Sequence, residues 1–344
     1  MIIRVFPRKT NATPNDEGVR FSEPGLFDEA DEVRVSVTWT WDRQRGEELA
    51  EAWRGVANRV LMGGPAYDDP GGEFEPGMYL KRGYTITSRG CPNNCWFCVV
   101  PKREGHVREL EIKDGYNILD SNLLACSPDH IMSVFEMLKR QKEKPRFTGG
   151  LEAARMKPWI AEQLRELRPH VAYFAYDTPD DYEPLVDAVN MLKEARALYD
   201  RVYSCYVLIG YKGDTIEKAE SRLKRVLNLD LMPMAMLYNK AEGRENRSQW
   251  IKFQREYANR IIVGSKLTAT RSYNLTRPAI GEGVRDMEYT TSKHCNEYWY
   301  GRTDGKPICH DCIYYQILND KCAIGINGGT AKYPISCDKY KSNK

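Results

Sequence analysis

The period of hydrophobic positions changes along this chain and divides it into three stretches. In Glu32-Val33-Arg34-Val35-Ser36-Val37-Thr38-Trp39 the valines alternate with polar residues, which predicts a half-buried strand. Over residues 46–58, Leu49, Ala52, Trp53 and Val56 recur at three- and four-residue spacing, one face of a helix. Arg59-Val60-Leu61-Met62 then runs as a strand into the turn Gly63-Gly64-Pro65. Residues 1–80 therefore predict a small α/β unit, and residues 68–77, with three Gly and two Pro, predict a loop or linker.

From residue 81 to 264 strand and helix patterns alternate. Strands are expected at residues 84–88, 116–120, 146–148, 171–176, 202–209 and 232–238. The clearest helix start is Ser127-Pro128-Asp129-His130, where Ser127 caps and Pro128 sits in the first turn. Ile131, Val134, Phe135 and Leu138 give that helix its apolar face, and further helices are expected at 158–167, 180–199, 215–229 and 249–262. Six successive β/α units predict a parallel sheet, either open or curved into a partial (β/α)6, TIM-like barrel. In such sheets the chemistry gathers at the carboxyl ends of the strands. Over residues 265–344 the periodicity fades into Gly, Tyr, Lys and Cys, which suits a small cysteine-held module.

Composition narrows the class. The 344 residues are 42% hydrophobic, enough for one large core or two modest ones. With 51 basic against 48 acidic side chains, a globally basic nucleic-acid coat and an acidic disordered tail are both excluded. Residues 240–344 are mildly basic, with 18 Lys and Arg against 11 Asp and Glu. No apolar run approaches the ~18 residues that cross a bilayer. The N-terminus lacks the layout of a signal peptide, so a soluble cytoplasmic protein with no membrane contact is expected.

Ten cysteines change the picture. Cys91, Cys95 and Cys98 follow the first strand of the β/α series with C-x3-C-x2-C spacing, and Gly90 and Pro92 let the backbone wrap closely. Three thiolates on one loop can hold three irons of a cubane and leave the fourth open, whereas zinc wants a fourth ligand, here a remote His. Cys309-x2-Cys312-x9-Cys322-x14-Cys337 supplies four more thiolates, with Cys295 as spare, in a segment too polar to fold by core burial alone. Zinc and a second 4Fe-4S cluster both fit that set, and His294 and His310 read as bystanders. Cys205 reads as a core residue, as does Cys126, which is nearer a loop and is the thiol to test as a radical relay.

The run from Thr87 to Pro101 resembles the radical S-adenosylmethionine (SAM) superfamily, and most of all its methylthiotransferase and cobalamin-linked branches. The resemblance covers roughly residues 83 to 262. It implies a partial barrel, a 4Fe-4S cluster on Cys91, Cys95 and Cys98, and SAM on the open iron. It also implies an external reductant of flavodoxin or ferredoxin type. Phe97 matches the aromatic that the family places beside adenine. Gly149-Gly150-Leu151-Glu152 resembles its "GGE" stretch near the SAM amino group, with Leu151 inserted. Gly210-Tyr211-Lys212-Gly213-Asp214-Thr215 resembles the turn that borders adenosine. Met232-Pro233-Met234 with Tyr238 resembles the sixth-strand segment near adenine.

Polar residues at the remaining strand ends are then substrate candidates: Asp120, Ser121, Asn122, Asp177, Thr178 and Asn239. Residues 1–80 resemble a shortened cobalamin-binding domain. The first histidine is His106, however, so the cobalt-ligating motif is missing and a structural remnant is expected. The basic tail with Tyr298, Trp299, Tyr300, Tyr314 and Tyr315 suits a nucleic-acid substrate. The alternative class is a non-enzymatic iron–sulfur or zinc protein that binds nucleic acid or senses redox state.

Overall fold

The computed structural model describes residues 1–238, 247–259 and 261–266. Two compact units divide the chain, Met1–Val263 and Gly264–Lys344. Both sheets described below belong to the first. Cys295, Cys309, Cys312, Cys322, Cys337, Asn239 and the aromatic tail lie outside the described residues.

The first sheet has four parallel strands: β1 (Ile2–Val5), β2 (Val19–Arg20), β3 (Ala30–Ser36) and β4 (Ala57–Gly63), in the order β2-β1-β3-β4. Helix α1 (Arg43–Arg54) packs on it through Leu49, Ala50 and Trp53 against Ile3, Val5, Val33, Val35 and Val37. Trp53 is fully buried and its indole N–H donates to the Ser22 carbonyl. The alternating strand of the sequence thus ends at Ser36, and the helix starts three residues earlier than its apolar face announces. Residues 68–77 cross to the second sheet as a loop, and Arg4 ties that loop down by donating to the Gly77 carbonyl at 2.5 Å.

The second sheet is the β/α series. Its strands are β5 (Tyr84–Thr85), β8 (Asn117–Ile118), β9 (Arg146–Phe147), β10 (Val171–Ala175), β11 (Tyr203–Ile209) and β12 (Met232–Leu237). All are parallel, and they lie side by side in chain order. Between β5 and β8 a short ribbon forms, β6 (Ser88–Arg89) antiparallel to β7 (Arg108–Glu109), with the one-turn helix α2 (Val100–Arg103) between them. The remaining helices are α3 (Pro128–Lys139), α4 (Pro158–Leu167), α5 (Tyr182–Glu194), α6 (Ile216–Asn228) and α7 (Arg247–Ala258). Ser127 caps α3 by accepting from the His130 N–H at 3.3 Å. An α/β fold with parallel sheets is therefore what the strand–helix alternation produces.

Several expected elements differ in extent: the 116–120 strand narrows to Asn117–Ile118, the 249–262 helix is Arg247–Ala258, and two others have a visible cause. The 84–88 strand stops at Thr85, because Ser88 and Arg89 leave the sheet to pair with Glu109 and Arg108. The 180–199 helix ends at Glu194, and Arg196 takes a left-handed φ of 55° just beyond it. At the sheet's far side, β12 pairs only with β11 among the described residues, and Gln254 on α7 donates to the Ala235 carbonyl at 3.2 Å.

Candidate functional site

The three cysteines occupy the excursion between β6 and β7, directly beyond the carboxyl end of β5. Gly90 opens it with a φ of 86°, and a Cβ there would overlap the His106 carbonyl. Only glycine fits such a position without strain. The Cys91 N–H donates to the Gly105 carbonyl at 3.1 Å, which closes the excursion on itself, and the Cys98 N–H donates to Cys95 at 3.0 Å. Buried Glu104 braces the loop from inside. Its carboxylate accepts from the Gly90 N–H at 2.9 Å and the Ser121 hydroxyl at 2.7 Å, and it pairs with Arg103. Burial works against its charge, but Ser121, Arg103 and the Gly90 N–H outweigh that and hold it below the usual carboxylate range.

Asp120 performs a similar task one strand away. Its buried carboxylate accepts from the Thr87 N–H at 2.6 Å, the Thr87 hydroxyl at 2.6 Å and the Ser88 hydroxyl at 2.7 Å. Desolvation nonetheless pushes its carboxyl up. All its visible capacity goes into fixing the segment that leads to the cysteines, so it is placed as a strap.

Other sequence candidates come to the loop itself. The Asn122 amide donates to Cys91 Sγ at 3.3 Å and to Glu152 at 2.6 Å, and Arg155 donates to the same Glu152 oxygen at 2.6 Å. Leu151 is buried, so the inserted residue tucks into the core and Glu152 emerges toward Asn122. Gly149 is needed because a Cβ would overlap the Asp120 backbone. Gly150 is needed for its φ of 102°, since space beside it is open. Phe97 packs edge-on against Trp96, with centroids 5.3 Å apart. Trp96 in turn touches Tyr211 at 5.8 Å and Tyr238 at 5.2 Å, so loops after β11 and β12 reach the loop after β5.

Asp177, at the end of β10, accepts from the Leu208 N–H at 3.0 Å. Burial and then repulsion from Asp181 push its carboxyl up to about 7, against the pull of Leu208 and Arg222. Gly210 has a φ of 70°, and its N–H donates to buried Asp214 at 2.8 Å, which Arg222 pairs at 2.8 Å. Pro233 sits opposite Cys205 near the start of β12, away from the strand's carboxyl end. Cys205 is fully buried in β11, and burial pushes the Cys126 thiol up to about 11. Glu104, Trp96 and the Asp214–Arg222 pair carry no sequence signal of their own; only contacts across long separations reveal them.

The loop's electrostatics suit a cationic or metal-containing guest. Burial first, then mutual repulsion among the three cysteines and from Asp177, raises the Cys95 and Cys98 thiols. None of the three is in a disulfide. The Asn122 Oδ1 atom is buried with no partner among the described residues. Three free thiols and an unanswered acceptor form a donor set that an iron–sulfur cluster with an amine-bearing ligand would satisfy. Among the described residues no three His, Cys, Asp or Glu side chains gather tightly enough to hold a single ion.

Beside the loop, a groove of about 640 Å³ opens between the starts of α3 and α4, lined by Cys126, Ile131, Glu152, Arg155, Lys157 and Trp159. Glu152 belongs to both places. Among the described residues no helix is long and apolar enough to cross a membrane. No protein family matches the chain, and no curated protein matches it in sequence.

Proposed function

We propose that this chain is a radical SAM enzyme, with a 4Fe-4S cluster on Cys91, Cys95 and Cys98 and SAM beside it at the carboxyl end of a partial barrel. The observation that carries this reading is convergence on one loop. Asn122 after β8 meets Cys91, Glu152 after β9 meets Asn122, and Tyr211 and Tyr238 after β11 and β12 meet Trp96. In a flat sheet, β5 and β12 would stand five strand spacings apart, about 24 Å. Contact between their following loops supports a curved sheet.

When bound, the cluster and SAM supply one-electron cleavage of the sulfonium and a 5′-deoxyadenosyl radical that takes hydrogen from substrate. The chain's own residues hold and orient. Glu152 and the free Asn122 Oδ1 offer acceptors to the SAM amino group. The glycine pair Gly149-Gly150 lets backbone approach closely, and Phe97 with the Trp96–Tyr238 contact offers flat walls to adenine. Asp177, with its proton balanced near neutrality, is the titratable group on the substrate side. An external flavodoxin- or ferredoxin-like donor supplies the electron, in a cytoplasmic setting. Cys309, Cys312, Cys322 and Cys337 hold a second centre, a 4Fe-4S cluster or zinc.

The test is 5′-deoxyadenosine release from SAM under dithionite after anaerobic reconstitution. Wild type should release it and hold about eight irons, or about four irons and one zinc, according to the second centre. Replacing Cys91, Cys95 and Cys98 together with Ala should abolish release with the circular dichroism spectrum kept. Fully loaded wild type that releases none sinks the assignment.

A further inference from the structure

The small sheet carries a feature that the cysteine loop does not use. Its strand order, β2-β1-β3-β4, reverses at β1: the chain goes to β2 on one side and then crosses to β3 on the other. In open parallel sheets the loops at such a reversal part and leave a crevice outside the strands' carboxyl ends, where ligands bind. Here those loops follow β1 and β3. Val5 pairs with Val35, so Lys9 and Trp39 each lie four residues beyond neighbouring strand positions. Arg8 joins the two loops, its Nε and Nη2 donating to the Asp42 carboxylate at 2.9 and 2.8 Å.

At this crevice stand two exposed indoles. Trp39 and Trp41 are 43% and 59% exposed, with ring centroids 5.0 Å apart and planes within 7°. Trp53 in the same unit is fully buried, so the core had room for an indole and these two are held outside it. Their planes are parallel, as those of successive bases in a stack are, and both rings keep surface exposed to solvent. Cations flank them. Arg8 and Lys9 are both exposed, and Arg8 Nη1 has no partner among the described residues. A sugar would ask for a carboxylate or amide beside the rings, but the carboxylate at hand, Asp42, is spent on Arg8.

We propose that Trp39 and Trp41, with Arg8 and Lys9, form a stacking platform for single-stranded nucleic acid. Bases stack on the indole faces, and the two cations meet the backbone phosphates. Sequence-tolerant binding follows, because every base presents a ring face.

The experiment measures fluorescence anisotropy of a labelled oligouridylate of about 16 nucleotides against the full chain, without SAM. Wild type should bind with a salt-dependent Kd. Trp39→Ala with Trp41→Ala should raise Kd at least about tenfold with the salt slope unchanged. Lys9→Gln should instead flatten the slope by a little under one. Trp39→Phe with Trp41→Phe should keep most of the affinity. If the alanine pair melts early, a leucine pair, which keeps bulk but no ring, makes the same comparison. Absence of binding, equal affinity in wild type and ring-less variants, or Trp quenching by an oligosaccharide and not by the oligonucleotide would each overturn the proposal. Because neither cluster nor SAM is needed, the result stands apart from that of the 5′-deoxyadenosine assay.

Discussion

Replacing Asp120 with Ala should loosen the cysteine loop from a distance. The substitution removes the acceptor of three donors at 2.6 to 2.7 Å, in a site almost closed to water. The two hydroxyls can rotate toward other partners. The Thr87 N–H cannot, and a buried orphan donor costs about 1–3 kcal/mol. Adding roughly 0.5–1.5 kcal/mol for each of the two weakened hydroxyl bonds gives a loss of about 2–6 kcal/mol. Asp120→Asn keeps the shape: its carbonyl can accept from the Thr87 N–H while its amide donates to the hydroxyl oxygens. It also removes the desolvated charge, so its loss should stay within about 1.5 kcal/mol. Urea midpoints of the two variants and the alkylation rate of reduced Cys91, Cys95 and Cys98 read both effects, with Ala faster than Asn and wild type. An Ala variant within about 0.5 kcal/mol of wild type, or an Asn variant as damaged as Ala, would refute the strap.

Two further outcomes follow from the same loop. Gly90→Ala forces a side chain into the left-handed region and onto the His106 carbonyl, so iron retained after reconstitution should fall several-fold while the rest of the unit keeps its circular dichroism. Glu104 is held below its ordinary range when folded, so its ionised form stabilises the protein above about pH 4.3, the unfolded value, and that contribution fades as pH falls toward the folded one. The difference in urea midpoint between wild type and Glu104→Gln should therefore shrink between about pH 5 and pH 3, and a constant difference would remove Glu104 from this role.

The sequence announces what periodicity and local chemistry govern. The strands from residue 116 onward are legible because each leads into a helical pattern, whereas the 84–88 strand leads into the β6–β7 ribbon, and the α3 start is legible because Ser127-Pro128 is a local signal. β1 was not, since Ile2–Val5 is too short to show alternation and is held by pairing with β3, about thirty residues on. Within the site, Asn122 is visible as a polar residue just past a strand end and Glu152 through the resemblance of Gly149-Gly150-Leu151-Glu152; Asn122 donates to Cys91, and Glu152 accepts from Asn122. Asp120 was visible by the same rule, yet its neighbours Thr87 and Ser88 turn it inward. Glu104 could not be told from 47 other acids, because its meaning lies in Gly90 and Ser121, fourteen and seventeen residues away.

Pro233 has a consequence that concerns neighbouring molecules more than chemistry. Residues two apart in a strand aim their backbone groups the same way, and the Ala235 carbonyl faces outward to Gln254, so Pro233 shows the same outer side. A strand from another chain seeking to extend the sheet there would meet a position with no N–H to offer and a carbonyl already taken. At the opposite margin, β5 is two residues long and gives an incoming strand almost nothing to align on. Among the described residues neither margin of the sheet pairs with a further strand, and a missing donor on one side and sheer brevity on the other oppose edge-to-edge aggregation.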